Sequence, residues 1–144
     1  MKEIILVKVG ELSLKGLNRR TFEDVLVKNI RRSLNGVGEY SIQNAQSTLY
    51  IVPESEKEDL DEAIGRVKKV FGIAALSRAC VAGKEMNDIL RTAAEYLAPS
   101  LEEVLTFKVE AKRSDKKFPL RSPEICAQTG EFLLEKFPHL SVDV

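Results

Sequence analysis

The chain has 144 residues, 44% hydrophobic and 31% charged, which suits one ordinary domain or two small ones and excludes a fibre or a disordered tract. Its 22 basic and 22 acidic residues cancel, so net charge alone points to no polyanionic partner. The longest apolar runs, such as Ile4 to Val7, are far too short to cross a bilayer, and Met1-Lys2-Glu3 opens no signal-peptide pattern, so no membrane partner and a cytoplasmic location are expected.

Taken in chain order, Glu3 to Val9 is apolar and β-branched, reads as a buried strand, and ends at Gly10. A short loop, Gly10 to Gly16, leads to a helix over residues 18–35, whose apolar face is Phe22, Val25, Leu26 and Ile30. Thr21 with Asp24 resembles a capping box and Asn18 competes as the N-cap; Gly36 and Gly38 stop the helix. Glu39 to Ala45 and Thr48 to Val52 alternate as a hairpin joined by Gln46-Ser47. Leu60, Ile64, Val67 and Phe71 mark a second amphipathic helix with an acidic first turn, and Ile73 to Val81 is a fourth strand. The order β-α-β-β-α-β is the split βαβ pattern of a ferredoxin-like fold.

Gly83 reads as a boundary, giving domains over residues 1–82 and 83–144. Beyond it, Met86, Ile89, Leu90, Ala93 and Leu97 share a helical face that Pro99 ends. Val104 to Ala111 alternates as a strand, and Ser122-Pro123 is an N-cap followed by proline at the first position of a helix reaching Pro138. Ser141 to Val144 begins a further strand. A strand without its partners leaves backbone groups unpaired, so the second domain is expected to be incomplete, with C-terminal strands missing, and the chain to be part of a longer protein. The fold class is α+β: a ferredoxin-like βαββαβ domain followed by a truncated α/β domain.

Charge is unevenly spread. Residues 54–62 hold six acids against Lys57, whereas residues 108–121 hold six bases against Glu110 and Asp115, a local excess of +4. Residues 8–32 hold seven bases against three acids, again +4. Local patches rather than net charge decide where a polyanion docks. In the 108–121 stretch a strand delivers a basic loop to a helix N-terminus, where free backbone N–H groups favour an anion. Arg113 and Arg121 can clasp phosphate oxygens bidentately, and Lys112, Lys116 and Lys117 add charge. Phe118 can present a stacking face to an unpaired base, although a phenylalanine is more often core. The segment Gly10 to Arg20 also joins a strand to a basic helix, with Lys15, Arg19 and Arg20; its glycine spacing fits neither a Walker loop nor a dinucleotide fingerprint. Taken singly, Lys108, Lys112 and Lys117 are equally well read as a solvated face, whereas for the 108–121 cluster as a whole anion binding is favoured; the Gly10 to Arg20 segment can also be read as a structural loop with solvated bases. Cys80 and Cys126 sit among apolar neighbours and read as inert thiols, His139 as a surface residue. No zinc spacing, acid/base pair, nucleophilic triad or phosphate-cradling loop is found, so no catalytic residue is assigned.

The run Ile5-Leu6-Val7-Lys8-Val9-Gly10-Glu11-Leu12-Ser13-Leu14-Lys15-Gly16-Leu17-Asn18-Arg19 resembles the start of the tRNA 4-thiouridine synthetase (tRNA sulfurtransferase) family. Val70-Phe71-Gly72-Ile73 is similar to the end of that family's ferredoxin-like domain. Thr106 to Val109, Lys112-Arg113-Ser114, Phe118-Pro119, Ser122 and Val142-Asp143-Val144 resemble its THUMP domain. The resemblance implies a tRNA-binding region that grips the single-stranded 3′ CCA of the acceptor end, through Arg113, Lys116, Lys117, Phe118, Arg121 and Ser122 first, with Lys112, and through Lys15, Asn18 and Arg19 second. It implies a parent enzyme that makes 4-thiouridine at position 8 and supplies sulfur for thiamine thiazole synthesis. A further domain, absent here, would use ATP and Mg and hold the catalytic cysteines, so this chain carries no cofactor. A homodimer and a sulfur-donor cysteine desulfurase are implied as partners of the parent. The rival readings are a non-catalytic ferredoxin-like binding or regulatory module, a small acylphosphatase-like hydrolase, and the RNA-binding part of another THUMP-containing enzyme.

Overall fold

A computed structural model describes residues 1–10, 19–45 and 48–143, Arg19 by its backbone alone. The chain divides into two compact units, Met1–Val81 and Ala82–Val144.

The first unit runs β1 (Glu3–Val9), α1 (Arg19–Ser33), β2 (Tyr40–Ala45), β3 (Thr48–Pro53), α2 (Leu60–Val67) and β4 (Ile73–Cys80). Its sheet has the order β2-β3-β1-β4 with every pairing antiparallel, the ferredoxin-like arrangement. Period-two alternation in β1 turns Ile5, Val7 and Val9 to one face, where Ile5 pairs with Ile51 and Val7 with Leu49 of β3. Phe22, Leu26 and Ile30, each four residues apart on α1, and Leu60, Ala63 and Val67 on α2 close over that face as one core. Each fully buried aliphatic side chain contributes about 1.5–3 kcal/mol, so this alternation settles the register of the central strands.

The ends of these elements follow from local chemistry. Gly36, at φ +83°, takes the left-handed turn that ends α1; Leu34 N–H still reaches Ile30 O, and the bonds of Asn35 N–H to Arg32 O and Val37 N–H to Leu34 O then tighten the chain. Thr21 lies inside α1, which already runs from Arg19; Asn18, Lys15 and the Gln46-Ser47 turn lie outside the described residues. Ala45 at the end of β2 faces Thr48 at the start of β3. Asp59 caps α2, its Oδ1 accepting the Glu62 N–H at 3.2 Å. Replacing Asp59 with alanine is expected to lower stability by about 1 kcal/mol in urea unfolding, with asparagine restoring most of it. No loss would mean that water serves the Glu62 amide equally well.

Phe71 departs from its expected place on the α2 face. The helix ends at Val67, its last turn tightens through Lys69 N–H to Arg66 O and Val70 N–H to Val67 O, and Phe71 emerges 85% exposed. Gly72 follows at φ +103° and reverses the chain into β4. At this end of the sheet the β1–β4 register slips between Lys8 and Val9, and the Gly10 N–H donates to Gly72 O at 2.8 Å.

The second unit comprises α3 (Met86–Leu101), β5 (Thr106–Phe107), α4 (Ser122–Lys136) and β6 (Ser141–Val142). Pro99 does not end α3, which runs on to Leu101, because proline at the last turn forfeits one hydrogen bond while Glu102 N–H still reaches Ala98 O at 3.0 Å. The expected strand over Val104 to Ala111 contracts to Thr106–Phe107, paired in parallel with Ser141–Val142. Leu101, Leu133 and Leu140 form the core, with Phe107 and Val109 packed on it, and Val109 lies over the bare Cα of Gly130 in α4. His139 is a structural tie, its Nε2 lying 2.9 Å from Leu101 O. Cys126 is half-buried and lines an apolar groove with Phe107, Val109 and Leu134.

Candidate nucleic-acid interface

The basic stretch leaves β5 and reaches α4 through a turn that Asp115 builds. Its backbone carbonyl accepts the Phe118 N–H at 3.1 Å, and its Oδ1 accepts the Lys117 N–H at 3.0 Å, a side chain copying a backbone turn. Lys116 and Lys117 therefore stand at the tip of a turn defined by backbone groups, and both are exposed, as is Lys112. Phe118 is half-buried and does not pack into the core of this unit. That placement leaves part of its ring open beside the two lysines.

Arg113 helps to build the turn. Its Nη1 donates to Phe118 O at 3.2 Å and to Leu120 O at 3.4 Å, so the guanidinium straps the two sides of the turn together. That contact engages Nη1 and helps to hold the loop in shape. No local sequence signal marks this, because backbone carbonyls accept from any donor that the loop brings near.

The helix start shifts by one residue from its expected place. Arg121, in extended geometry, is the N-cap of α4, Ser122 opens the helix, and Pro123 occupies its second position. The Glu124 carboxylate accepts the Arg121 N–H at 3.2 Å and brings a negative charge to the positive end of the helix. Glu124 thus competes with any anion there, and the accessible positive charge lies instead on the exposed Arg121, Lys112, Lys116 and Lys117. Two further acids temper the patch: Asp115 Oδ2 lies 3.8 Å from Lys84 Nζ, and Glu110 Oε1 lies 3.9 Å from Lys108 Nζ. Such exposed pairs are weak and leave the lysines free to exchange partners.

In the first unit, Arg19 opens α1 and Arg20 is exposed beside it, while Lys15 and Asn18 fall outside the described residues. Arg78 on β4 bridges Glu3 of β1 at 2.7 Å and Asp61 of α2 at 2.5 Å, and these hydrogen bonds hold its guanidinium protonated well beyond its ordinary range. It is a structural pin between sheet and helix. Among the described residues no cluster of His, Cys, Asp and Glu could hold a metal, and no helix is long and apolar enough to cross a membrane.

Comparison with known proteins covers both units. The ThiI ferredoxin-like domain family matches residues 4–77, and the THUMP domain family matches residues 83–144. Probable tRNA sulfurtransferases of Acetivibrio thermocellus and Caldanaerobacter subterraneus are 42% and 40% identical over the whole chain. The chain spans 37% of the length of each. Among solved structures, a 4-thiouridine synthetase crystallised with RNA and ATP superposes with TM-score 0.79 at 29% identity, over the whole of this chain and 36% of its own. A Pyrococcus horikoshii protein superposes with TM-score 0.83 at 31% identity, over 99% of this chain and 47% of its own. Two matches in the same order, spanning nearly every residue, leave one conclusion: the chain belongs to the ThiI-type tRNA sulfurtransferase family and comprises its ferredoxin-like and THUMP region.

Proposed function

We propose that this chain binds tRNA and positions its acceptor end, holding the single-stranded 3′ CCA at the turn between β5 and α4. The observation that carries this reading is the turn itself: Lys116 and Lys117 project from a backbone-defined tip, with the partly open ring of Phe118 next to them. Lysines, with Lys112 and Arg121, attract phosphates, and an aromatic face holds an unpaired base. Ser122 can donate its hydroxyl to a phosphate oxygen at the same place, and Arg113 keeps the turn in shape. Lys15, Asn18 and Arg19 form a second set of contacts along the acceptor arm. The RNA bound by the related 4-thiouridine synthetase supports the same partner here.

For the whole protein we infer ATP-dependent sulfur transfer that makes 4-thiouridine at position 8 of tRNA. ATP and Mg would be held by a domain outside these residues, so the chain's part in the reaction is to bind and orient. A cysteine desulfurase as sulfur donor, a homodimer, a contribution to thiamine thiazole synthesis and a cytoplasmic location belong to the same reading.

Binding of the chain to unmodified tRNA, with and without its 3′ CCA and at two salt concentrations, tests the proposal. Intact tRNA is expected to bind roughly ten-fold more tightly than tRNA lacking CCA, since stacking of even one base accounts for that much. Affinity is expected to fall steeply as salt rises, through counterion release. Indifference to CCA would reduce the interaction to general phosphate attraction, and absence of binding at low salt would sink the reading.

A further inference from the structure

The end of the ferredoxin-like sheet where β1 leads out and β4 begins holds a feature that the basic turn does not account for. Phe71 is 85% exposed, the most exposed large hydrophobic residue among those described. A scattered exposed leucine carries no message, because much of any protein surface is apolar. Phe71 differs in two respects. Its position is fixed: Gly72, which follows it, sits at φ +103°, accepts the Gly10 N–H at 2.8 Å, and lies so close to α1 that an added Cβ would meet the Phe22 ring at 2.6 Å. The ring is therefore held out from the protein on an anchored turn. Its company is also basic, since Lys68 and Lys69, three and two positions before it, are exposed, and the exposed Arg20 lies in the first turn of α1, the helix that Gly72 approaches at Phe22.

An anchored aromatic face next to lysines is the chemistry of single-stranded nucleic-acid recognition, in which bases stack on the ring and phosphates meet the ammonium groups. A hydrophobic protein partner would favour neighbouring apolar residues around the ring, whereas Lys68 and Lys69 oppose it. We propose that Phe71 is a base-stacking contact for an unpaired nucleotide of the bound RNA, with Lys68 and Lys69 as its phosphate partners. The ferredoxin-like unit thus takes hold of RNA at a second place, distinct from the turn between β5 and α4. The inference rests on the reading of the chain as a tRNA binder and extends it to a residue that no comparison assigns.

The test uses the whole chain with Phe71→Ala, Phe71→Trp and Lys68→Ala/Lys69→Ala, an unmodified tRNA, and a fully paired RNA duplex as control. Because the ring is exposed, Phe71→Ala is expected to keep the fold, which circular dichroism checks. It should weaken tRNA binding about ten-fold while leaving duplex binding and the salt dependence unchanged. Phe71→Trp should retain affinity and, as the sole tryptophan of the chain, lose fluorescence when tRNA stacks on it. The lysine pair should make the salt dependence shallower, by roughly 1.4–1.8 in the slope of log K against log salt. Wild-type binding to tRNA that Phe71→Ala leaves intact, or tryptophan emission from Phe71→Trp that saturating tRNA does not change, overturns this inference and spares the tRNA-binding reading. A Phe71→Ala protein of unchanged RNA affinity but altered sedimentation would assign the ring to a second protein copy instead, and overturns it as well. No tRNA binding by the wild-type chain overturns both.

Discussion

Valine in place of Gly72 is expected to remove most of the stability of the ferredoxin-like unit. Two costs add at this position. The backbone sits at φ +103°, where a β-branched residue is a steric outlier, and residues held in such regions cost about 1–3 kcal/mol. The new Cβ would also stand 2.6 Å from the Phe22 ring, which is 7% exposed and packed in the core with Leu26, so it has little room to move. Overpacking of that kind costs about 1–3 kcal/mol more. The total of roughly 2–6 kcal/mol compares with about 4–12 kcal/mol for a unit of this length. Urea unfolding followed by circular dichroism reads the loss, and a drop of less than about 1 kcal/mol would show that the turn re-forms without the left-handed geometry. Shortening the ring by Phe22→Leu in the valine background should recover part of the loss, since it relieves the clash and leaves the backbone cost in place. The same glycine that closes β1 against β4 also aims Phe71 at solvent, which ties the stability of this corner to the surface it presents.

That corner marks where periodicity misleads. Leu60, Ile64, Val67 and Phe71 keep helical spacing, but α2 must stop by Val67 for the chain to enter β4 in register with β1. The demands of the sheet outweigh a matching apolar residue, and the signal for it was Gly72, the residue able to make the reversal. The rest of the first unit was legible because its alternations are regular: Ile5, Val7 and Val9 on β1, Leu49 and Ile51 on β3, and the four-residue steps on α1. Such patterns define the βαββαβ order and the buried face together.

The second unit was legible in outline only. Val104 to Ala111 alternates well enough for a strand of eight, yet among the described residues the ladder is Thr106 and Phe107 against Ser141 and Val142, with Ser141 N–H donating to Leu105 O and Asp143 N–H to Phe107 O. Pairing depends on the neighbour, and a single segment does not record it. The basic turn was legible as a cluster because its residues are close in sequence. Its internal division of labour was not: Arg113 holds carbonyls, Asp115 builds the turn, and Glu124 occupies the helix start that the sequence suggested as an anion site. These roles depend on loop geometry, which follows no repeating pattern.

The division of labour leads to the largest expected effect on binding. Charge reversal by Lys116→Glu/Lys117→Glu should weaken tRNA binding roughly 100-fold at low salt, about 3 kcal/mol, by exchanging two attractions for two repulsions. The fold should not respond, since the turn uses the backbone N–H of Lys117 and Phe118 and the carboxylate and carbonyl of Asp115, none of which the substitution removes. Both side chains are exposed, so their charges act through solvent and are screened within about 10 Å at 0.1 M salt. The gap between variant and wild type should therefore narrow as salt rises, and nearly close where wild-type binding has itself become weak. A gap that stays constant with salt would mean that the substitution had distorted Phe118 or Arg113 and not the local potential. A variant that binds tRNA as well as wild type at low salt would remove the turn from the interface and shift the weight of recognition to the ferredoxin-like unit.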